Sequence, residues 1–133
     1  MVELLVVIAI LGVLAGTVTV TVVRHLDYAK VERAKVDIKN ISSALKMFQI
    51  HTGDYPSAGD GLQSLITEPA LLVGKWKGPY LEATSVPKDP WGNDYIYTKP
   101  GLENRDFDIV SYGKDGIAGG EGLNTDIASY SIN

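Results

Sequence analysis

The sequence predicts an α+β fold in which one long N-terminal helix packs against a small antiparallel sheet. Two observations favour this fold. An uncharged apolar segment, Leu4–Val23, runs directly into a second segment with helical periodicity, Arg24–His51. The second half of the chain instead has three short strand-like segments, separated by turns that contain Pro and Gly. A single helix packed against such a sheet is the simplest arrangement that buries both apolar faces.

Composition limits the classes of function. The chain has 133 residues and a formal net charge of −4, with 12 basic and 16 acidic side chains. No basic patch stands out, so nucleic acid is not an expected partner. The lack of cysteine excludes disulfides, thiolate zinc sites and a cysteine nucleophile. Outside the apolar segment the chain suits one small domain, and no repeat or linker indicates a second.

The apolar segment is long enough to cross a membrane as a helix. Leu4–Val23 contains no charged residue and is flanked by Glu3 and Arg24. About twenty apolar residues in a helix span a hydrocarbon layer ~30 Å thick. We therefore divide the chain into a membrane or filament-core segment, 1–23, and a head, 24–133, which includes the second half of the long helix. A cleaved leader or a simple anchor is the alternative, although no basic region precedes the apolar run.

Three residues of this segment are candidates for packing between helices. A carboxylate beside lipid is costly and usually pairs with a cation. Glu3 therefore either lies at headgroup level or pairs with a cation of a neighbouring copy, such as an N-terminal amine, and sets the axial register. Gly12 and Gly16 form a Gly-x-x-x-Gly step that allows helices to approach closely. Every residue from Thr17 to Val23 is β-branched, which predicts a less stable helix just after Gly16.

The segment from Arg24 to His51 is predicted to lie along the core of the head. Charged residues fill most of one face, while apolar residues recur on the other at steps of three and four. The residues expected to face the core are Tyr28, Val31, Ala34, Ile38, Ile41, Leu45 and Phe48. Gly53 is the predicted C-cap, and Pro56 prevents the helix from continuing.

The rest of the head is predicted to contain short elements and loops. Asp60 is a candidate cap for a short helix over 61–67, with Leu62 and Leu65 facing inward. The irregular region 70–88 is expected to fold back onto the long helix through Trp76, Tyr80 and Leu81. Asp89-Pro90-Trp91-Gly92 predicts a turn. The expected strands are Tyr95–Thr98, Phe107–Tyr112 and Ile127–Ile132.

Two sets of residues resemble known families. The run from Val2 to Ala15 resembles the start of mature type IV pilin-like proteins. In that family a prepilin peptidase cuts before a methylated residue, and a Glu that Glu3 matches follows four positions later. By that register Met1 lies two residues inside the usual mature end, and Val20 stands where the family commonly has proline. A series of motifs in the head further resembles the major pseudopilins of type II secretion: Tyr55-Pro56, Gly61-Leu62-Gln63, Pro87-Lys88-Asp89-Pro90-Trp91-Gly92 and Ser111-Tyr112-Gly113-Lys114-Asp115-Gly116.

The C-terminal loop, 113–127, is the one stretch with the chemistry of a binding site. Asp115 and Asp126, with an amide, a hydroxyl and backbone carbonyls between them, supply the hard oxygen donors that calcium takes. The residues alone fit either a calcium site or a solvated acidic loop, and the spacing matches neither an EF-hand nor a P-loop.

The resemblance changes this balance, because the same loop binds calcium in the major pseudopilins. It implies the following ligands: the side chains of Asp115, Asn124 and Asp126 and the carbonyls of Tyr112 and Ile117. Glu121 is either a further ligand or an exposed acid, and Thr125 stands where many members have an acidic residue.

The resemblance also implies a structural role. Copies would stack with their apolar helices inside and their heads outside, and the periplasmic filament would push folded proteins toward an outer-membrane pore. The implied partners are other copies of the chain, minor pseudopilins, the prepilin peptidase and an inner-membrane assembly platform. Before assembly, the implied location is the bacterial inner membrane, with a single pass and a periplasmic head.

Two other functions are weighed against this one. A type IV pilus subunit for adhesion, motility or DNA uptake would share the apolar helix, but such pilins often have a C-terminal disulfide loop. An anchored enzyme is disfavoured, because His25 and His51 both lie on the long helix without a triad-like arrangement of Ser or Asp.

Overall fold

The computed structural model describes residues 1–132, except for the side chains of residues 17–21. A single helix, α1 (Val2–Thr52), leads into a three-stranded sheet of β1 (Ile96–Thr98), β2 (Asp108–Ser111) and β3 (Ile127–Ala128). Three 3₁₀ turns lie between these elements, at Gly61–Leu65, Ala70–Leu72 and Gly122–Asn124. The predicted α+β architecture of one long helix and a small antiparallel sheet is confirmed.

The end of α1 follows from one glycine. Gly53 has a φ of 94°, in the left-handed region, and its N–H donates to the carbonyl of Gln49. Only glycine adopts this conformation without strain, so the helix ends at the predicted C-cap.

The first part of α1 presents its apolar side chains to solvent. Leu4, Ile8 and Leu11 are each 59–66% exposed. Across the described residues, with the side chains of 17–21 left out, no helix contains an apolar stretch long enough to cross a membrane. The predicted loss of helix stability after Gly16 concerns mainly the side chains of residues 17–21, so this prediction lies outside the described residues.

The second part of α1 forms one wall of the core. Five apolar residues at steps of three and four are at most 1% exposed: Ala34, Ile38, Ile41, Leu45 and Phe48. Leu65, Tyr95, Phe107 and Ile109 complete this core from the rest of the head. The prediction for Tyr28 is wrong, because it is 63% exposed and Asp27 takes the buried position on that turn. Tyr28 and Asp27 lie three and four positions before Val31, and both spacings place a residue on the same helix face as Val31. The apolar pattern alone therefore does not decide which of the two is buried.

The sheet places its central strand, β2, against the helix. Its order is β1-β2-β3, with both pairs antiparallel, Tyr97 opposite Ile109 and Ser111 opposite Ile127. The third strand is shorter than predicted, because Ser131 turns back and donates its N–H to the carbonyl of Ala128.

The region between the helix and the sheet folds back as predicted. The ring of Tyr80 contacts the edge of Phe48 at a centroid distance of 5.6 Å, and Trp76 donates its indole N–H to the Ser64 carbonyl. Leu62 and Leu65 face inward as expected. Asp60 lies at the N-cap position of the Gly61–Leu65 turn as predicted, but its carboxylate accepts a hydrogen bond from the Ser57 hydroxyl and makes no side-chain capping bond to the turn.

Two tyrosines of the sheet region are tied to the rest of the head. Tyr95 donates its hydroxyl to Asp37 at 2.9 Å, and Tyr97 donates to the carbonyl of Pro56 at 2.8 Å. Burial raises the pKa of both phenols, and the hydrogen bond to Asp37 raises the pKa of Tyr95 further. Both tyrosines therefore stay neutral donors, which suits the polar contacts they make.

Candidate functional site

The C-terminal loop begins at a buried hydrogen-bond network. Asp89 is 4% exposed, and one of its oxygens accepts the backbone N–H groups of Trp91 and Asn93, at 3.1 and 2.8 Å. Its other oxygen accepts the hydroxyl of Ser111 at 2.8 Å, and the Ser111 oxygen accepts the N–H of Gly113 at 3.3 Å. The turn at Asp89 therefore fixes where the loop leaves β2.

Two glycines let the two sides of the loop touch. Gly113 has a φ of 73°, and a Cβ there would lie 2.9 Å from the carbonyl oxygen of Thr125. Gly120 has a φ of 97°, and a Cβ there would collide with the carbonyl oxygen of Asn124. No other residue fits these positions without strain. The glycines thus lay the segment that carries Tyr112 and Asp115 beside the one that carries Asn124 and Asp126.

Asp126 has one carboxylate oxygen that the protein leaves unsatisfied. Its Oδ2 accepts the N–H of Gly119 at 2.9 Å. Its Oδ1 is buried and has no hydrogen-bond partner among the described residues. A buried carboxylate oxygen without a partner is costly, so this atom is suited to a bound cation.

The other predicted ligands lie on the same loop with different exposure. Asp115 is exposed, and its Oδ1 accepts the N–H of Ile117 at 3.1 Å, which shapes the loop. Ile117 is 68% exposed, Asn124 is exposed, and Tyr112 is half-buried. Their carbonyl and amide oxygens and the two carboxylates are oxygen donors, the type that calcium accepts and zinc does not favour.

The loop does not contain a dense cluster of metal-binding side chains. Among the described residues, no group of three or more His, Cys, Asp or Glu that could hold a metal occurs. Glu121 and Thr125 are exposed on the same loop. Any cation bound there would depend on backbone carbonyls as well as on side chains.

An ion pair that the sequence did not reveal connects this loop to α1. The ammonium of Lys114 lies 3.2 Å from a carboxylate oxygen of Asp27, whose side chain is 12% exposed. Lys114 lies within the Ser111–Gly116 motif that carries the family resemblance. Its place in that motif was the one sequence signal that Lys114 is important. No sequence pattern pairs it with Asp27, because the two residues lie far apart in the chain.

The predicted assembly residues lie on the open surface of α1. Glu3 is exposed in the first turn of the helix. A Cβ added to Gly12 or Gly16 would meet nothing within 4 Å. The space beside both glycines is therefore free for a second helix, and the roles of all three residues stay predictions.

The two histidines contact no acidic or serine side chain among the described residues. His25 is exposed. His51, in the last turn of α1, has its Nδ1 2.9 Å from the hydroxyl of Tyr80. Among the described residues, neither ring hydrogen-bonds to Ser, Asp or Glu. The His51 contact instead helps to hold the 76–81 region against the helix.

Comparison with known sequences gives a consistent result. A family profile described as type II secretion system, protein G, matches residues 21–130. The chain is 41% identical over 133 residues to type II secretion system core protein G of Pseudomonas aeruginosa, covering 98% of this chain and 92% of that protein. It is 36% identical over 132 residues to the protein of the same name from Vibrio cholerae, covering 98% and 88%.

Comparison with solved structures agrees. The fold is similar to the crystal structure of the major pseudopilin from the type 2 secretion system of enterohaemorrhagic Escherichia coli. The TM-score is 0.68 at 28% sequence identity, and the match covers 82% of this chain and 89% of that one.

Proposed function

Because the chain belongs to the type II secretion system protein G family, we propose that it is the major structural subunit of a type II secretion pseudopilus. The family is one of structural subunits of a secretion system, and its members belong to the cell envelope. The observation that carries the proposal is the match of both sequence and fold along nearly the whole chain. The same match favours secretion over the type IV pilus alternative.

The exposed apolar side chains of α1 favour assembly once the subunit leaves the membrane. Leu4, Ile8 and Leu11 are more than half exposed in the single chain. Keeping one such side chain out of water is worth about 1.5–3 kcal/mol, so an extracted subunit is stable when neighbouring helices cover this surface in place of lipid. Gly12 and Gly16 allow close approach, and Glu3 pairs with a cation of a neighbouring copy to fix the register. The filament grows by this self-association and drives folded proteins across the outer membrane.

The proposed location and partners of the chain follow from the same role. Before assembly, the apolar part of α1 holds the subunit in the inner membrane as a single pass, with its head in the periplasm. The prepilin peptidase processes and methylates its N-terminus, an inner-membrane platform adds it to the filament, and minor pseudopilins associate with the same filament. These partners are proposed from family membership.

We further propose that the C-terminal loop binds calcium. The side chains of Asp115, Asn124 and Asp126 and the carbonyls of Tyr112 and Ile117 would hold the ion. The buried and unpartnered Oδ1 of Asp126 supports this set most directly. Bound calcium would supply positive charge that closes a loop rich in glycine, which is otherwise costly to order.

The assembly proposal is tested in a strain that lacks its own major pseudopilin. Expression of this chain is expected to restore secretion and to produce a filament, whereas Glu3→Ala is expected to fail. Glu82→Ala, which removes an exposed acid of the head, is the matched control and should behave like the parent. Equal assembly of Glu3→Ala and the parent would exclude the register role. Restored twitching or DNA uptake without secretion would favour the pilus alternative.

The calcium proposal is tested by thermal unfolding of the full chain with calcium and with a chelator. A ligand at a hundredfold excess over its Kd stabilises by about 2.7 kcal/mol when it binds only the folded state. We expect a clear upward shift of Tm for the parent and for Asp94→Asn, which changes an exposed surface acid. Asp126→Asn should lose the shift. An unchanged melting curve for the parent would remove the calcium site.

A further inference from the structure

Among the described residues, one ion pair joins the C-terminal loop to α1, between Lys114 and Asp27. Within the described residues, Asp27 is the buried acid of the helix, 8% exposed as a whole residue, and its ion-pair partner is Lys114. Removing the partner of a buried carboxylate strongly destabilises the folded protein. Asp27 lies near the base of the head, four positions after Val23 and the end of the apolar segment. The pair therefore joins the loop to the point where α1 enters the head.

Lys114 also sits where it can control the shape of the loop. It lies between two of the proposed ligands, Tyr112 and Asp115, and its N–H donates across the loop to the carbonyl of Leu123 at 3.4 Å. Its ammonium is held toward α1 by Asp27. One residue thus connects the helix, the far side of the loop and the backbone that carries Asp115.

Without Asp27, the same ammonium would have a different effect. A free cation next to Asp115 would compete with calcium for the carboxylate charge, since unlike charges within a few ångströms attract. Pairing with Asp27 neutralises this cation and keeps it on the helix side of the loop. The pair thus orients the ligands and removes a competitor at the same time.

We propose that Lys114 and Asp27 form a positioning pair that couples calcium binding in the loop to the order of α1 at the base of the head. This inference rests on the calcium site proposed above. Coupling between two sites is reciprocal, so whatever the pair adds to calcium affinity, calcium adds to the stability of the pair. Calcium in the loop would therefore stiffen the junction between head and apolar helix.

The test is a calcium titration of the full chain in mild detergent. Asp27→Asn and Lys114→Met are each expected to raise the calcium Kd about fivefold or more, as is typical of coupled sites. Asp27→Asn should have the larger effect, because it also frees the Lys114 ammonium. The double variant should be no weaker than the weaker single variant, because both changes break one contact. Lys114→Arg keeps the pair and should bind calcium like the parent. Glu32→Gln, which breaks the exposed Lys35–Glu32 pair on the same helix, is the matched control and should also bind like the parent.

Hydrogen exchange provides a second measurement. It distinguishes calcium-dependent coupling through the pair from a general effect of the pair on stability. In the parent, calcium is expected to slow amide exchange both in residues 112–126 and in the helix around Asp27. In Asp27→Asn and Lys114→Met, saturating calcium should protect the loop but no longer the helix. Equal Kd values and equal helix protection in the parent and both variants would overturn the positioning pair alone. A parent without any calcium response would overturn the calcium site and the pair together. If Asp27→Asn does not fold, equal binding by Lys114→Met and Lys114→Arg would still overturn the pair.

Discussion

The two parts of α1 contain similar apolar residues but place them in opposite environments. Leu4, Ile8 and Leu11 are more than half exposed, whereas Ile38 and Leu45 are fully buried. One secondary structure element therefore serves two kinds of packing. The later part packs against the sheet and loops of its own chain. The earlier part is covered only when other molecules pack against it. The first part of α1 is therefore available for assembly, whereas the second part stabilises the head.

The largest effect should come from the core part of α1. Phe48→Ala removes a ring that is 1% exposed and that contacts Tyr80. We expect a loss of about 3–5 kcal/mol in the free energy of unfolding, from lost burial and the cavity left behind. Urea unfolding of the full chain would measure it. Phe48→Leu, which fills most of the space, should cost clearly less, and equal losses would contradict the cavity argument.

A smaller effect is expected from a buried acid that shapes the loop before β2. Asp108 is 3% exposed and accepts the backbone N–H groups of Leu102, Glu103 and Asn104 at 2.7–3.1 Å. Asp108→Asn points an amide group at these donors and should cost about 1–3 kcal/mol in urea unfolding. Asp106→Asn, at an exposed neighbouring position, should stay within about 0.5 kcal/mol of the parent. Similar losses in both variants would show that the buried contacts contribute little.

The ion pair near the end of α1 should have a pH-dependent effect that is smaller still. Lys99 donates to Asp54 at 2.8 Å, and this hydrogen bond holds the pKa of Asp54 below its ordinary value. A depressed pKa in the folded state adds stability above the unfolded pKa, and that stability is lost as the pH falls through the folded pKa. Lys99→Met should therefore flatten the decline in Tm below a pH of about 4. An unchanged acid limb of the curve would exclude the contribution, which exposure keeps small.

The smallest effect on stability should come from the apolar part of α1. Ile8 is 59% exposed, so Ile8→Ala should leave the free energy of unfolding within about 0.5 kcal/mol of the parent. The same variant should assemble poorly in a filament assay, where Ile8 becomes buried. A large loss of stability in the single chain would show that this part also packs within the molecule.

Much of the fold could be predicted because local patterns decide it. Apolar periodicity located α1, Gly53 located its end, and strand-forming residues located the sheet. Tyr28 was misplaced because its spacing to Val31 fits the core as well as that of Asp27 does. The predicted β3 was too long, because the chain turns back at Ser131. The alternation of apolar and polar residues does not reveal the hydrogen bond that makes this turn.

The candidate site was only partly visible in the sequence. Glycines and oxygen-bearing residues identified the loop, and the resemblance supplied its candidate ligands. The supporting contacts of Asp89 with Ser111 and of Lys114 with Asp27 were missed, because each joins residues distant in the chain. Burial of an acid is the property that distinguishes these residues, and it exists only after folding.

The position of Asp126 directly before β3 has a consequence for how the head unfolds. Ile127 pairs with Ser111 of the central strand, so the backbone next to Asp126 is fixed by the sheet. We expect the loop to open to proteases whenever β3 detaches, even while α1 keeps its helix. Limited proteolysis should therefore cut the loop before it cuts the core part of α1.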